Sequence, residues 1–506
     1  MVQLPAAQPP GLHRRSFLKA TAGVVGAAAV GVSLTGCDVV ADTADPDLHL
    51  LERATFGVST ASLTRLRTIG RAAWLDEQLD PGRLDLRAID AKVAMLPDLA
   101  ASAAQLKATY QGTGAAIVGA QLQLATLMRQ VESPAQLHER MVELWSDHFN
   151  VALLDENLRI LKPVEDREVI RPRAMGTFRE LLLASAQSPA MLVYLDGARS
   201  FAGAINENYG RELLELHTVG VDGGYTEDDV VGAARLLTGW TVSPQTGRFV
   251  FDVARHDAGP LTIMGWNRPS GGDPFAHGRQ FLSWLAAHPS TAHHVCTKIA
   301  RRFVADRPDA GLVDAMAATY RANDTAIVPV LRTMFGHPAF AAAVGQKFRR
   351  PNDWFAAACR ATAATLTPST ARAPLQGAAA VVFGLGQPPH MWPAPNGYPD
   401  VEGAWRTSGG LLARWNAGGD LVRNVIPLVR VDTAPLQAGL AGRTIEAALD
   451  LLADRVLHRR LTDDGRHVLR AHTGLQPATV VNDPLAYLLV PRIVPLLLAT
   501  GDVQYR

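Results

Sequence analysis

The densest run of chemistry-bearing side chains is Ile205-Asn206-Glu207-Asn208-Tyr209-Gly210-Arg211-Glu212-Leu213-Leu214-Glu215-Leu216-His217. At about 100° per residue, Glu207, Asn208, Arg211, Glu212 and Glu215 share one helical face, while Tyr209, Leu213 and Leu216 point the other way. Two readings are open. As a solvated ladder, the i, i+4 pairs Glu207/Arg211 and Arg211/Glu215 contribute a few tenths of a kcal/mol each, roughly. As a buried site, three carboxylates against one guanidinium leave excess negative charge, which calls for a cation or for one raised carboxyl pKa. Glu207, Glu212 and Glu215 would then serve as general acid or base, with Arg211 positioning them.

Two imidazoles could complete such a site. His148 ends an amphipathic stretch in Trp145-Ser146-Asp147-His148-Phe149, and His256 precedes Asp257, whose carboxylate could fix the ring's tautomer. Together with the acidic face, and with His217 nearby in sequence, His148, His256 and Asp257 would suit zinc, iron or manganese as a divalent cofactor. The spacing matches no helical motif such as His-Glu-x-x-His, and a lone histidine is more often a packed core residue. A third cluster is the loop from Gly386 to Trp405, whose five prolines and three aromatics forbid a helix. Trp392, Tyr398 and Trp405 either wall a cleft as stacking platforms for sugar or peptide, or belong to a belt folded over the core.

The elements that must hold these groups are helical almost throughout. Apolar periodicity predicts helices over 47–55, 60–79, 134–149, 205–218, 226–240, 351–366, 402–416 and 482–498, among others. Thr226 followed by Asp229 reads as a capping box. Two short alternating runs, 248–253 and 261–265, predict a small paired excursion around His256-Asp257. The apolar run 485–498 is expected to break at Pro491, Arg492 and Pro495, as a core segment and not a membrane span. The fold class is therefore all-α, a large multi-helical single domain over 47–506 with a small β-hairpin excursion near 248–265.

The amino terminus supplies an address. Arg14-Arg15-Ser16-Phe17-Leu18-Lys19 resembles a twin-arginine export signal, and Leu34-Thr35-Gly36-Cys37 resembles a lipobox. Residues 1–37 then form the signal and 38–46 a linker. Cys37 would be lipidated, tying the chain to an extracytoplasmic membrane face by acyl chains. A net charge of +1 and the lack of a basic stripe argue against a nucleic-acid partner. Cys296 and Cys359 sit in apolar helical patterns, as buried thiols or a pair. Gly-x-Ser-x-Gly, Walker and strand-led Gly-x-Gly-x-x-Gly motifs are missing, which disfavours serine hydrolases, nucleotide-driven enzymes and dinucleotide oxidoreductases.

Several segments carry a family resemblance: His49-Leu50-Leu51-Glu52-Arg53-Ala54-Thr55-Phe56-Gly57, Trp145 to Phe149, Glu207 to Leu216, Gly223-Gly224-Tyr225-Thr226, Leu237-Thr238-Gly239-Trp240, His256-Asp257 and the proline-rich loop to Trp405. In these the chain resembles the bacterial domain-of-unknown-function 1800 family. It departs at Pro260-Leu261, where the family pattern has a lysine before the second strand. The resemblance implies a large helical protein of bacterial envelopes, often encoded beside a second exported family with sulfatase-like character, and hence a sulfatase-like partner. It supplies no reaction. The leading expectation is an envelope hydrolase or other polymer-modifying enzyme acting on glycan or peptide. The alternative is a non-catalytic scaffold or partner of an exported enzyme or surface polysaccharide.

Overall fold

The structure, a computed structural model, describes residues 45–110 and 112–506. The export motif and Cys37 lie outside the described residues. The architecture is all-α with small antiparallel hairpins, as the periodicity predicts. Asp45 caps the first helix, Pro46–Ala54, by accepting from the amides of Asp47 and Leu48, with Pro46 preset for the first turn. The expected helix over 60–79 is two helices, Thr60–Ile69 and Arg71–Leu79, because Gly70 at φ +82° turns the chain between them.

Apolar side chains gather in two clusters. One draws on Leu51, Trp145, Phe178, Leu213, Trp240 and Phe303, the other on Phe56, Met128, Trp354, Leu449, Val490 and Leu497. Helix Ala116–Glu132 feeds both, through Val118 and through Leu124, Leu127 and Met128. Cys296 belongs to the first cluster and Cys359 to the second, and both are free, buried thiols pushed up by burial.

Between the clusters lies a buried ionic layer. Arg140, Glu143 and Asp147 form a stripe on helix Gln136–His148 at the i, i+3, i+7 spacing of one face. The Arg140 guanidinium stands over Phe56 of one cluster, at 4.9 Å, and Phe303 of the other, at 5.7 Å. Arg302 and Arg350 each bridge Glu143 and Asp147, with N–O distances of 2.6 to 2.8 Å. Asp353 receives Arg140 at 2.9 Å, Arg350 at 3.3 Å and the chain's last residue, Arg506, at 3.3 Å. The proline-rich loop is tied into the same layer by Asp400, which pairs with Arg302 at 2.7 Å and Lys347 at 3.0 Å.

Three local expectations change. The run 248–253 pairs backwards, Phe249–Phe251 with Trp240–Val242, while Thr262–Ile263 pairs forwards with Trp266–Asn267. The second is a tight hairpin, with Met264 and Gly265 both at positive φ as a type I′ turn requires. Helix 402–416 is displaced to Ser408–Val422, since Thr407 provides the cap by accepting from Gly410. Helix Asp483–Ala499 runs unbroken through Pro491 and Pro495; their four-residue spacing stacks both missing N–H donors on one side. Among the described residues no helix is long and apolar enough to cross a membrane.

Candidate functional site

The acidic segment is two kinds of helix. Asn208–Glu212 is α-helical and Leu213–His217 continues it as a π-helix, a wider turn that recurs at functional sites. Such an ending leaves carbonyls without amide partners. Two imidazoles take them: His148 Nε2 donates to the His217 carbonyl at 3.0 Å, and His294 Nε2 to the Leu216 carbonyl at 3.2 Å. With Nε2 carrying its proton, His148 Nδ1 is left to accept from the Lys298 ammonium at 3.1 Å. Burial, then the charge of Lys298, pushes His148 far below its ordinary value, and burial brings Lys298 down to about 8. His148 therefore holds the end of the acidic helix in place.

The three carboxylates on that helix are not equivalent. Arg211 forks onto Glu227 at 2.6 and 3.0 Å and lies 3.6 Å from both Glu207 and Glu215. Glu227 comes from the next helix, Glu227–Leu236, whose capping box between Thr226 and Asp229 forms as the sequence predicts. This part is the solvated ladder. Glu212 stands outside it: half-buried, with no ion pair among the described residues, its carboxyl raised by burial and by Glu215. Glu212 also acts on Tyr194, whose phenol is raised to about 12 by burial first. Tyr194 Oη donates to the Pro393 carbonyl at 2.7 Å, and Asn150 Nδ2 to the carbonyls of Trp392 and Ala394 at 2.9 and 2.7 Å. Tyr194 and Asn150 thus anchor the proline-rich loop, and Tyr194 does so within reach of the Glu212 charge.

That loop is largely a belt. Tyr398 is buried, gives its hydroxyl to the Pro388 carbonyl at 2.7 Å, and packs between Trp392 at 5.2 Å and Trp405 at 6.0 Å. It has no face for a ligand, which corrects its expected role as a platform. Trp392 and Trp405 remain half-buried, with their indole N–H groups satisfied inside the loop by Asn396 and Pro399. Gly397, at φ +69°, lies so close to the Asp147 carbonyl that no side chain fits there. Behind the loop is a cavity of about 30 Å³, lined by Glu139, Glu143, Asp147, Asp166 and His390 among others. It has room for water only.

The expected metal ligands do not converge. His256 Nδ1 donates to the Thr238 carbonyl at 2.8 Å, so Nε2 is the nitrogen that accepts from Arg268 at 2.6 Å. Its neighbour Asp257 turns away to a bidentate pair with Arg235 at 2.9 and 3.2 Å. The tautomer is thus fixed by a backbone carbonyl and not by Asp257. His148 and His256 share no partner, and among the described residues no group of three or more His, Cys, Asp or Glu is arranged to hold a metal ion.

A family model described as a protein of unknown function, DUF1800, matches residues 49–500. The chain belongs to that family. No curated protein and no solved structure matches it. Several of its recognisable segments build the fold. Arg53 is fully buried and donates to the carbonyls of Val304, at 2.8 Å, and Ala343, while His49 bonds the Phe340 carbonyl at 2.8 Å.

Tyr194, Asn150 and Lys298 were not singled out in the sequence, and neither was the buried ionic layer. The one local signal for the layer is the charge density of Lys347-Phe348-Arg349-Arg350-Pro351-Asn352-Asp353 at a helix start.

Proposed function

We propose that the protein is an exported envelope hydrolase, or another polymer-modifying enzyme, whose proton donor is Glu212, held to an outward membrane face by acyl chains on Cys37. The observation that carries the proposal is the separation of Glu212 from its neighbours. It alone on the acidic face lacks a guanidinium partner, it is half-buried, and its raised carboxyl favours the protonated form that a general acid needs. Glu215, one turn away and 3.6 Å from Arg211, is the second carboxylate of the pair. Arg211 positions Glu215, and His148 positions the helix. Trp392, at the edge of the belt, is the ring available to a glycan or peptide chain.

The test uses full-length protein in detergent, incubated with neutral glycans, acidic glycans and peptides, with products followed by mass spectrometry. Glu212→Gln is expected to lower turnover by about 10² to 10⁴-fold, the usual worth of a general acid. Turnover equal to wild type would overturn the assignment. The address is tested by fractionation: Cys37→Ala is expected to release the protein from membranes, and Arg14→Lys with Arg15→Lys to stop export.

A second reading, a non-catalytic partner of an exported sulfatase-like enzyme or a surface polysaccharide, is favoured by Leu412 and Trp415. They are exposed one turn apart on helix Ser408–Val422. Cross-linking that captures a sulfatase-like protein through Trp415, together with full turnover by Glu212→Gln, would select it.

A further inference from the structure

A second cleft, of about 440 Å³, opens where the first helices meet the turn between Ala116–Glu132 and Gln136–His148. Its lining includes Thr55, Ser59, Ser62, Ser133 and Arg360. Thr55 belongs to the amino-terminal signature, which the proposed chemistry at Glu212 does not use.

Charge in this cleft is balanced with one exception. Glu77 pairs with Arg65, Asp85 with Arg87, Glu132 with Lys92 and Arg83 with Asp80. Arg360 has no carboxylate partner among the described residues. It is more than nine-tenths buried, and two neutral carbonyls fix its guanidinium: Nε donates to Gly57 at 2.7 Å and Nη1 to Val131 at 2.8 Å. Nη2 has no hydrogen-bond partner among the described residues. Burial, unrelieved by any counter-charge, brings the group down to about 10. A desolvated cation without an anion is costly, and the backbone here is built to hold it. Gly57 at φ +150° lets the chain pass against Ala357, where an added Cβ would lie 2.7 Å from the Ala357 Cα. That passage places the Gly57 carbonyl on Arg360. The amino terminus of helix Thr60–Ile69, with Ser59 as its cap, lines the same cleft and favours negative charge.

We propose that this cleft binds an oxyanion on a sugar-sized ligand, a carboxylated or sulfated sugar, with Arg360 as the anion's partner and the polar wall residues Glu77 and Arg83 as partners for the ring. The volume suits one or two sugar units. The site does not depend on any catalytic role for Glu212.

The test is calorimetric titration of full-length protein in detergent with glucuronate, glucose and inorganic sulfate. Glucuronate should bind at least about tenfold more tightly than glucose, since a charge-assisted pair is worth that much, and sulfate should compete with it. Arg360→Lys should weaken glucuronate by a similar factor. Ala61→Trp, at an exposed helical position on the cleft wall, should abolish binding without touching the core. Sulfate binding as tight as glucuronate assigns the site to the anion alone; tighter glucuronate adds recognition of the sugar. Equal binding of glucose and glucuronate, no binding of either anion, or unchanged binding in Ala61→Trp would overturn the proposal, and the last variant keeps the test decisive if Arg360→Lys misfolds.

Discussion

Two clusters of arginine and carboxylate define this molecule, and they differ in nearly everything but composition. In the ladder of Glu207, Arg211, Glu215 and Glu227, Arg211 is 33 % exposed and Glu227 74 %. In the layer of Arg140, Glu143, Asp147, Arg302, Arg350 and Asp353, Arg350 is 1 % exposed and Asp353 fully buried. Water screens the first, so its geometry is worth little, whereas the second has exchanged its hydration for mutual contacts and cannot lose a member cheaply. The contrast also isolates Glu212. It lies on the exposed cluster's helix but shares neither cluster's pairing.

The largest expected effect falls on the buried layer. Asp353→Ala removes the carboxylate partner of buried Arg506 and one of the partners of Arg140 and Arg350, which keep Glu143, and should cost about 3 to 5 kcal/mol by urea denaturation, nearly independent of salt. A smaller, salt-sensitive loss would mean that bulk solvent screens the layer as it screens the ladder, and the contrast would be false.

Acid should then lower the protein's stability in two steps. Burial holds His217 at about 3 and His294 at about 4, so both stay neutral in the fold, whereas the unfolded imidazole titrates near 6.5. Below that value the unfolded chain gains protons that the fold does not, and stability falls, by about 2 kcal/mol per group at pH 5. His217→Leu should flatten this first limb. In the second step, burial opposes charge on Asp353 and Asp400, but Arg350 and Arg140 on the one, and Arg302 and Lys347 on the other, hold both carboxyls well below the usual range. Their contribution is present above the unfolded carboxyl value and is lost as pH falls below about 4. Stability that does not change between pH 7 and pH 5 in wild type and in His217→Leu alike would show that the imidazoles are not kept neutral.

The smallest effect belongs to the ladder. Arg211→Ala should change stability by about 0.5 kcal/mol or less at low salt, and by nothing measurable at high salt. A loss comparable to that of Asp353→Ala would erase the distinction between the two clusters.

How far these features could be read from the sequence follows the distance over which each is assembled. The ladder's i, i+4 pairs, the capping box at Thr226 and most helices are local, and periodicity finds them. Glu227 was missed as Arg211's tightest partner because a turn separates the two helices. The hairpins were misjoined because alternation marks a strand without saying in which direction it pairs. The buried layer takes Glu143, Arg302, Arg350 and Arg506 from points spread over most of the chain, and no spacing rule links them. Sequence makes His148 and His256 candidate ligands because one ends an amphipathic helix and the other stands beside Asp257. In space each ring instead finds a backbone carbonyl and a cation: His217 and Lys298 for one, Thr238 and Arg268 for the other. Glu212 could not be told from its neighbours on a helical wheel, because what separates them is pairing and burial.

The most direct measurement is a titration of glutamate side-chain carboxyls by ¹³C NMR, comparing wild type with Glu212→Gln to assign the signal. One resonance with its midpoint above the ordinary glutamate value of about 4.3, missing in Glu212→Gln, is the predicted result. A Glu212 carboxyl that titrates at or below that value would contradict the proposed role as proton donor and leave the acidic helix a solvated ladder along its whole length.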